Sequence, residues 1–205
     1  MEKFKSIEYH GHTIDIYPDE FNESPDDWGD DERFLVYDHR NFTITRDGFD
    51  PKEIFDHIQK KQKAMYKGYF IFTVYAYIHS GVSLSLGRDI KPFTDRWDVS
   101  SSGFILIKKA KGTYTREKSI KDAHSLLNLW NNYLSGNVWG FIIESIKDDN
   151  SVWGYYGEPE KSGLLDEAKS CIDDHIKEKV EEHNQYLKSV IKKKIPILFR
   201  KKLVC

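Results

Sequence analysis

Several things are scarce in this chain. It has 205 residues but only two cysteines, Cys171 and Cys205. That is too few for a disulfide framework and points to a reducing compartment. Cys205 has nothing after it in this sequence, so it does not read as a C-a-a-X prenylation site. No run of about 18 uncharged apolar residues occurs, so no segment is expected to cross a bilayer as a helix. Glu2, Lys3, Lys5, Glu8, Asp15, Asp19 and Glu20 interrupt the first twenty residues and leave no room for the apolar centre of a secretory signal. A cytoplasmic protein is expected. The 13 glycines are scattered at turns, and none forms a phosphate-cradling loop. No G-x-S-x-G elbow is present, and Cys171 sits beside Ile172 at an apolar helical position, which reads as packing.

What is present is an aromatic, highly charged chain. Aromatic residues make up 14% and charged residues 31%, above the usual ~25%. Apolar residues reach 39%, enough to build a core and to argue against global disorder. The charge is unevenly placed. Residues 1–58 hold 16 Asp and Glu against 6 Lys and Arg, whereas residues 185–205 hold 7 Lys and Arg and no acid. Such a split concerns partners and solubility rather than fold.

Periodicity supplies the elements. Residues 4–9 and 12–17 alternate about His10-Gly11-His12, as a β-hairpin does. Residues 18–32 are acidic and rich in turn formers, and read as a loop. Short strands follow at 33–38 and 41–46. Asp50-Pro51-Lys52-Glu53 combines a cap, a first-turn proline and a capping-box acid, and predicts a helix carrying Ile54, Phe55, Ile58 and Met65 up to Lys67-Gly68. Residues 69–78 are apolar or aromatic in both alternating sets, the pattern of a central strand covered on both faces. Strands at 82–86 and 103–108 follow. A helix is predicted over 116–134, with Thr115 as cap, then a hairpin of 138–145 and 151–156. A last helix starts near Ser162–Leu164 and runs towards Ile191, and Pro196 stops it from continuing. The expected fold class is α+β: a mainly antiparallel twisted sheet with about three helices on one face, in the order ββββ-α-βββ-α-ββ-α. One domain over 1–187 is expected, with a basic apolar extension over 188–205. Val138-Trp139-Gly140 echoes Val152-Trp153-Gly154, which a cross-strand aromatic pair would explain.

No catalytic constellation emerges, and the chain is expected not to be an enzyme. His10 and His12 flank a turn without further ligands at zinc spacing, so neither a metal nor a cofactor is expected. Asp173, Asp174, His175 and Glu178 read as a solvated helix face. Asp95 and Asp98 bracket Trp97 in a loop and are the best acid-base pair for a small enzyme, with backbone capping as the plainer role. Lys67-Gly68-Tyr69-Phe70-Ile71-Phe72 partly echoes an RNA-recognition strand, and Tyr69, Tyr75 and Tyr77 would share one face. Phe70 occupies the place of the small residue in that signature.

Two charged segments are the candidate interaction sites. At the C-terminal side Lys188, Lys192, Lys193, Lys194, Arg200, Lys201 and Lys202 alternate with apolar residues. Phosphate contacts, an anionic membrane surface, a groove on a partner protein and simple packing on the domain are all open there. Near the N-terminus Asp26, Asp27, Asp30, Asp31 and Glu32 share one loop, where they either imitate nucleic-acid phosphates for a basic protein or are merely solvated.

Further motifs carry a resemblance. They are His79-Ser80-Gly81-Val82-Ser83, Trp97-Asp98, Gly103-Phe104-Ile105, Trp130-Asn131, Tyr133-Leu134-Ser135-Gly136, Val138, Gly140-Phe141 and Ser151-Val152-Trp153-Gly154-Tyr155-Tyr156-Gly157. Through these, residues 79–173 resemble an uncharacterised family of small proteins encoded by phages and mobile elements. In that family a Ser-Gly pair follows the Trp-Asp, where this chain has Val99-Ser100-Ser101-Ser102. The resemblance implies a non-enzymatic protein that binds and interferes with a host factor, such as a defence nuclease of the restriction or CRISPR type, in the host cytoplasm. A host protein, a nucleic-acid-processing complex or RNA is the implied partner. The alternatives are an RNA- or single-strand-binding module and a small enzyme using Asp95 and Asp98.

Overall fold

Two kinds of apolar pattern in the sequence produce two kinds of layer. The computed structural model of the chain describes residues 1–39, 42–61, 65–78, 81–87, 99–109, 115–146, 150–192 and 196. Contacts divide it into two compact units. One comprises Met1–Tyr17, Trp139–Tyr155 and the described residues from Pro159 on; the other comprises Pro18–Val138 and Tyr156–Glu158. The elements are β1 (Lys5–Tyr9), β2 (His12–Pro18), β3 (Arg33–His39), β4 (Phe42–Ile44), α1 (Pro51–Lys61), β5 (Met65–Tyr66), β6 (Tyr69–Ile78), β7 (Val82–Leu86), β8 (Val99–Lys108), α2 (Arg116–Leu134), β9 (Val138–Ile142), β10 (Ser151–Tyr156) and α3 (Leu164–Lys192). This is the α+β order read from the sequence, with the two-residue β5 added.

The second unit is built on a six-stranded sheet, ordered β4-β3-β8-β6-β5 with β7 also on β6. The β3–β8 and β6–β8 pairings are antiparallel. Its central strands are apolar on both faces. Leu35, Tyr37, Val74, Ala76, Ile105 and Ile107 pack with Ala123, Leu126, Leu127 and Trp130 of α2. Phe34, Val36, Ile71, Phe104 and Leu106 pack with Ile54 of α1. Alternation along β3 and β8 sends these two sets to opposite faces, so the helices cover both sides. This corrects the expectation of helices on one face. Asn131 of α2 closes an open strand edge. Its side-chain amide donates to the Leu84 carbonyl at 2.9 Å and its carbonyl oxygen accepts from the Leu84 N–H at 2.7 Å.

Helix boundaries follow local chemistry. Thr115 accepts from the Lys118 amide and Asp50 from the Lys52 amide, as caps do. The first helix is described only to Lys61, and Met65 belongs to β5 rather than to its apolar stripe. Lys67 and Gly68, expected to end that helix, form the turn of the β5–β6 hairpin, both at positive φ (47° and 87°). His10 and Gly11 do the same between β1 and β2 (48° and 80°).

The first unit is built on a four-stranded sheet ordered β1-β2-β9-β10. Leu164, Ala168 and Ile172 recur every fourth residue on α3 and bury against Ile14, Ile16, Phe141 and Ile143. The helix passes residue 188 without a break, so the boundary drawn there falls inside it. The Val-Trp-Gly echo has a different cause from the one expected. Trp139 packs on Phe4 at 4.5 Å, and a Cβ at Gly140 would lie 2.2 Å from the Trp153 ring. The glycine makes room for one tryptophan.

On β2, Asp15 is only 6% exposed. It accepts from the Ser6 hydroxyl at 2.6 Å and from the Lys3 ammonium at 2.9 Å. The Ser6 hydrogen bond holds its carboxyl below the usual Asp range; burial opposes this and Lys3 reinforces it. A carboxyl with a depressed folded value stabilises above the ordinary carboxylate range and loses that contribution as pH falls through the folded value. Asp15→Asn is therefore expected to cost about 1–3 kcal/mol at neutral pH. The gap to the parent protein should narrow on acidification, which urea denaturation at two pH values will read.

Candidate interaction surface

The acidic stretch between β2 and β3 is an ordered loop. Its turn formers make the hydrogen bonds that such residues favour. The Asp19 carboxylate accepts from the Phe21 amide at 3.1 Å, and Asn22 Nδ2 donates to the Asp19 carbonyl at 2.7 Å. The Ser24 amide donates to the Asp27 carboxylate at 2.9 Å, while the Asp27 amide returns to the Ser24 carbonyl at 3.0 Å. Gly29, at φ 65°, closes a turn on the Asp26 carbonyl at 3.1 Å. Pro25 is buried beneath. Tyr156 clamps the loop from the end of β10: its hydroxyl donates to the Glu23 carbonyl and its ring meets Trp28 edge-on at 5.2 Å.

The five acids singled out in the sequence do not form one free cluster. Asp30 accepts from the amides of Glu32 and Arg33 and from Arg33 Nε at 2.7 Å. Burial works against its ionisation, but the Arg33 guanidinium and the two amides outweigh it and hold the carboxyl below its usual range. Arg46 binds both Asp26 and Asp31, and its guanidinium lies over the Phe34 ring at 5.2 Å. Asp27 is spent partly on the Ser24 amide. Three of the five are thus ion-paired. Glu32 is exposed, as are Glu20 and Glu23 earlier in the loop.

Composition missed two aromatic residues. Phe21 is 87% exposed and Trp28 is 49% exposed. An aromatic side chain held in water on an ordered loop, with carboxylates around it, has the chemistry of an interface anchor. The only signal in the sequence was their position, two aromatics inside a polar run without apolar periodicity.

The Tyr156 phenol is pushed up to about 12, first by burial and then by the nearby negative charge of Asp19. Because the folded value is raised, its contribution to stability is complete below the ordinary phenol range near 10 and is lost as pH rises through about 12. Tyr156→Phe is expected to speed hydrogen exchange at the Ser24 and Asp27 amides about five-fold at neutral pH. It should also remove that alkaline step. Exchange measured by NMR in parent and variant tests both.

Other sequence candidates resolve differently. Tyr69 is not free to stack on a base. Its ring meets Phe34 and Phe49 edge-on at 5.4 and 5.3 Å, and its hydroxyl donates to the Asp31 carbonyl at 2.9 Å. Tyr75 and Tyr77 are half-buried. Lys188 is exposed on α3. Lys192 ends that helix, while Lys193, Lys194, Arg200, Lys201 and Lys202 lie outside the described residues, as do Asp95 and Asp98. His10 approaches Asp173 at 3.9 Å, and His12 Nδ1 lies 2.6 Å from Ser145 Oγ. Among the described residues, no three His, Cys, Asp or Glu side chains converge as metal ligands do. No helix among these residues is long and apolar enough to cross a membrane. No family, no curated protein and no solved structure matches this chain.

Proposed function

We propose that this chain is an interaction protein that engages a basic surface of a partner through the loop of residues 19–32. The carrying observation is Phe21, 87% exposed on a loop fixed by its own hydrogen bonds and rimmed by carboxylates. Phe21 and Trp28 put two exposed aromatic side chains on one short loop, and aromatic residues are enriched in the cores of interfaces. A loop already ordered loses little entropy on docking, so more of its contact energy appears as affinity. Phe21 and Trp28 would fill apolar pockets, and Glu20, Glu23, Asp27 and Glu32 would meet lysines and arginines at the rim.

Basic grooves belong above all to proteins that handle nucleic acid. Together with the resemblance to phage and mobile-element proteins, this favours a host defence nuclease, of the restriction or CRISPR type, as the partner. In this reading the chain occludes the groove and breaks no bonds. A cell-based interference assay tests it. Cells carrying a restriction or CRISPR system should regain plasmid uptake when the chain is expressed, and should lose that gain with Glu20→Lys, Glu23→Lys and Glu32→Lys combined. No restored uptake with any tested nuclease class, or full restoration by the charge-reversed chain, would count against the proposal.

A further inference from the structure

The unit containing α3 carries a second feature that the loop does not account for. After Ile176 the helix exposes ten consecutive residues, 177–186. Beside this stretch and the first residue of β2 lies a groove of about 470 Å³, within the size range of small-molecule sites. Ile176 and Val180 supply its apolar surface, and His12, His175, His183, Lys179 and Asn184 supply its polar atoms. Val180 is 54% exposed.

The polar lining is one-sided: three imidazoles, an ammonium and an amide, with no carboxylate. Of the acids on adjoining turns, Glu178 and Glu181 line a neighbouring depression rather than this groove, and Asp173 and Asp174 have partners of their own. Asp173 accepts from the Tyr9 hydroxyl at 3.3 Å and faces His10; Asp174 accepts from Lys177 at 2.8 Å. Glu182 reaches Lys179 at 3.1 Å and partly offsets that one charge. The His12 and His175 rings stand perpendicular with centroids 6.0 Å apart, close enough for one carboxylate to accept from both. Ser145 fixes the His12 ring through Nδ1 at 2.6 Å. When its hydroxyl donates there, Nε2 carries the proton and is the donor left for a ligand.

We propose that this groove binds a small amphiphilic carboxylate, with its aliphatic or aromatic body on Ile176 and Val180 and its head on His12 and His175. Donors without an opposing carboxylate select the anion, and the apolar strip selects a body over a bare ion. The site belongs to a different unit from the loop and stands independently of the partner proposed above.

Titration of the full chain with octanoate, followed by the imidazole C–H signals in NMR spectra, tests it. Saturable shifts are expected at His12, His175 and His183, with half-saturation below about 1 mM. Octylamine has the same body with the opposite charge and should leave these signals unmoved. Acetate has the head without the body and should bind at least about ten-fold more weakly. His12→Gln with His175→Gln, and separately Val180→Asp, should each weaken octanoate binding at least about ten-fold. All three residues lie outside the core, so the fold should survive. Equal shifts with octanoate and octylamine, or no saturation by about 10 mM octanoate, would overturn the assignment.

Discussion

Gly103→Ala is expected to cost the six-stranded sheet about 3 kcal/mol or more, a large fraction of the roughly 5–15 kcal/mol that keeps a domain folded. Gly103 of β8 is the register partner of Tyr37 on β3. A Cβ added there would lie 2.0 Å from Cδ2 of the Tyr37 ring and 2.7 Å from Cε2. The ring has nowhere to go. Tyr37 is fully buried and lies flat on Phe42, with centroids 4.5 Å apart and an interplanar angle of 13°. The methyl group therefore forces either the strand pair apart or the tyrosine out of the core. Gly140→Ala is a second case. Its Cβ would meet the ring of Trp153, which is 36% exposed and can swing outward, but also the Val152 carbonyl oxygen at 2.8 Å, which cannot. A loss of about 2 kcal/mol is expected there, below that of Gly103→Ala because only part of the clash is with buried groups. Urea denaturation followed by circular dichroism ranks the two. A cost for Gly103→Ala below about 1 kcal/mol would mean that the β3–β8 register is wrong.

Phe21→Ala combined with Trp28→Ala is expected to weaken partner binding about 100-fold while leaving the fold in place. The dissociation follows from exposure. Phe21 has almost nothing to lose in the free chain, so its truncation should change stability by less than about 0.5 kcal/mol. Trp28 also braces Tyr156 and will cost somewhat more. Both side chains would become buried in the complex, where aromatic anchors carry a large share of the energy. Calorimetric titration against the partner, beside thermal melting of the free variant, separates binding from folding.

Much of the fold was legible because local chemistry dictated it. Thr115 caps α2 as its position suggested, and the apolar spacing from Ala123 to Trp130 marked the face that packs. The run from Tyr69 to Ile78 announced a central strand. Coverage of the sheet on both faces was also written in Phe34-Leu35-Val36-Tyr37 and Phe104-Ile105-Leu106-Ile107, which are apolar without alternation. Read as short strands alone, they gave helices on one face. The end of α1 misled for another reason: Met65 falls in phase with the helix, yet Lys67-Gly68 has the chemistry of a hairpin turn, and the turn decides. The pairing of β2 with β9 joins segments more than a hundred residues apart. No local pattern announces such a contact.

The candidate surface was half legible. The density of acids between Asp19 and Glu32 pointed to the loop. Which of them remain free depends on Arg33, beside them in the chain, and on Arg46, which reaches them only after folding. Phe21 and Trp28 carry no periodic signal, and their exposure is a property of the folded chain alone. Tyr69 illustrates the reverse case: an aromatic that looked available for stacking is held between Phe34 and Phe49.

Hydrogen exchange of the whole chain, alone and in complex with a candidate basic partner, tests the central claim most directly. Slowed exchange should concentrate at the amides of residues 19–32, including Phe21 and Trp28. Slowing confined to other elements, with these amides unchanged, would contradict the account.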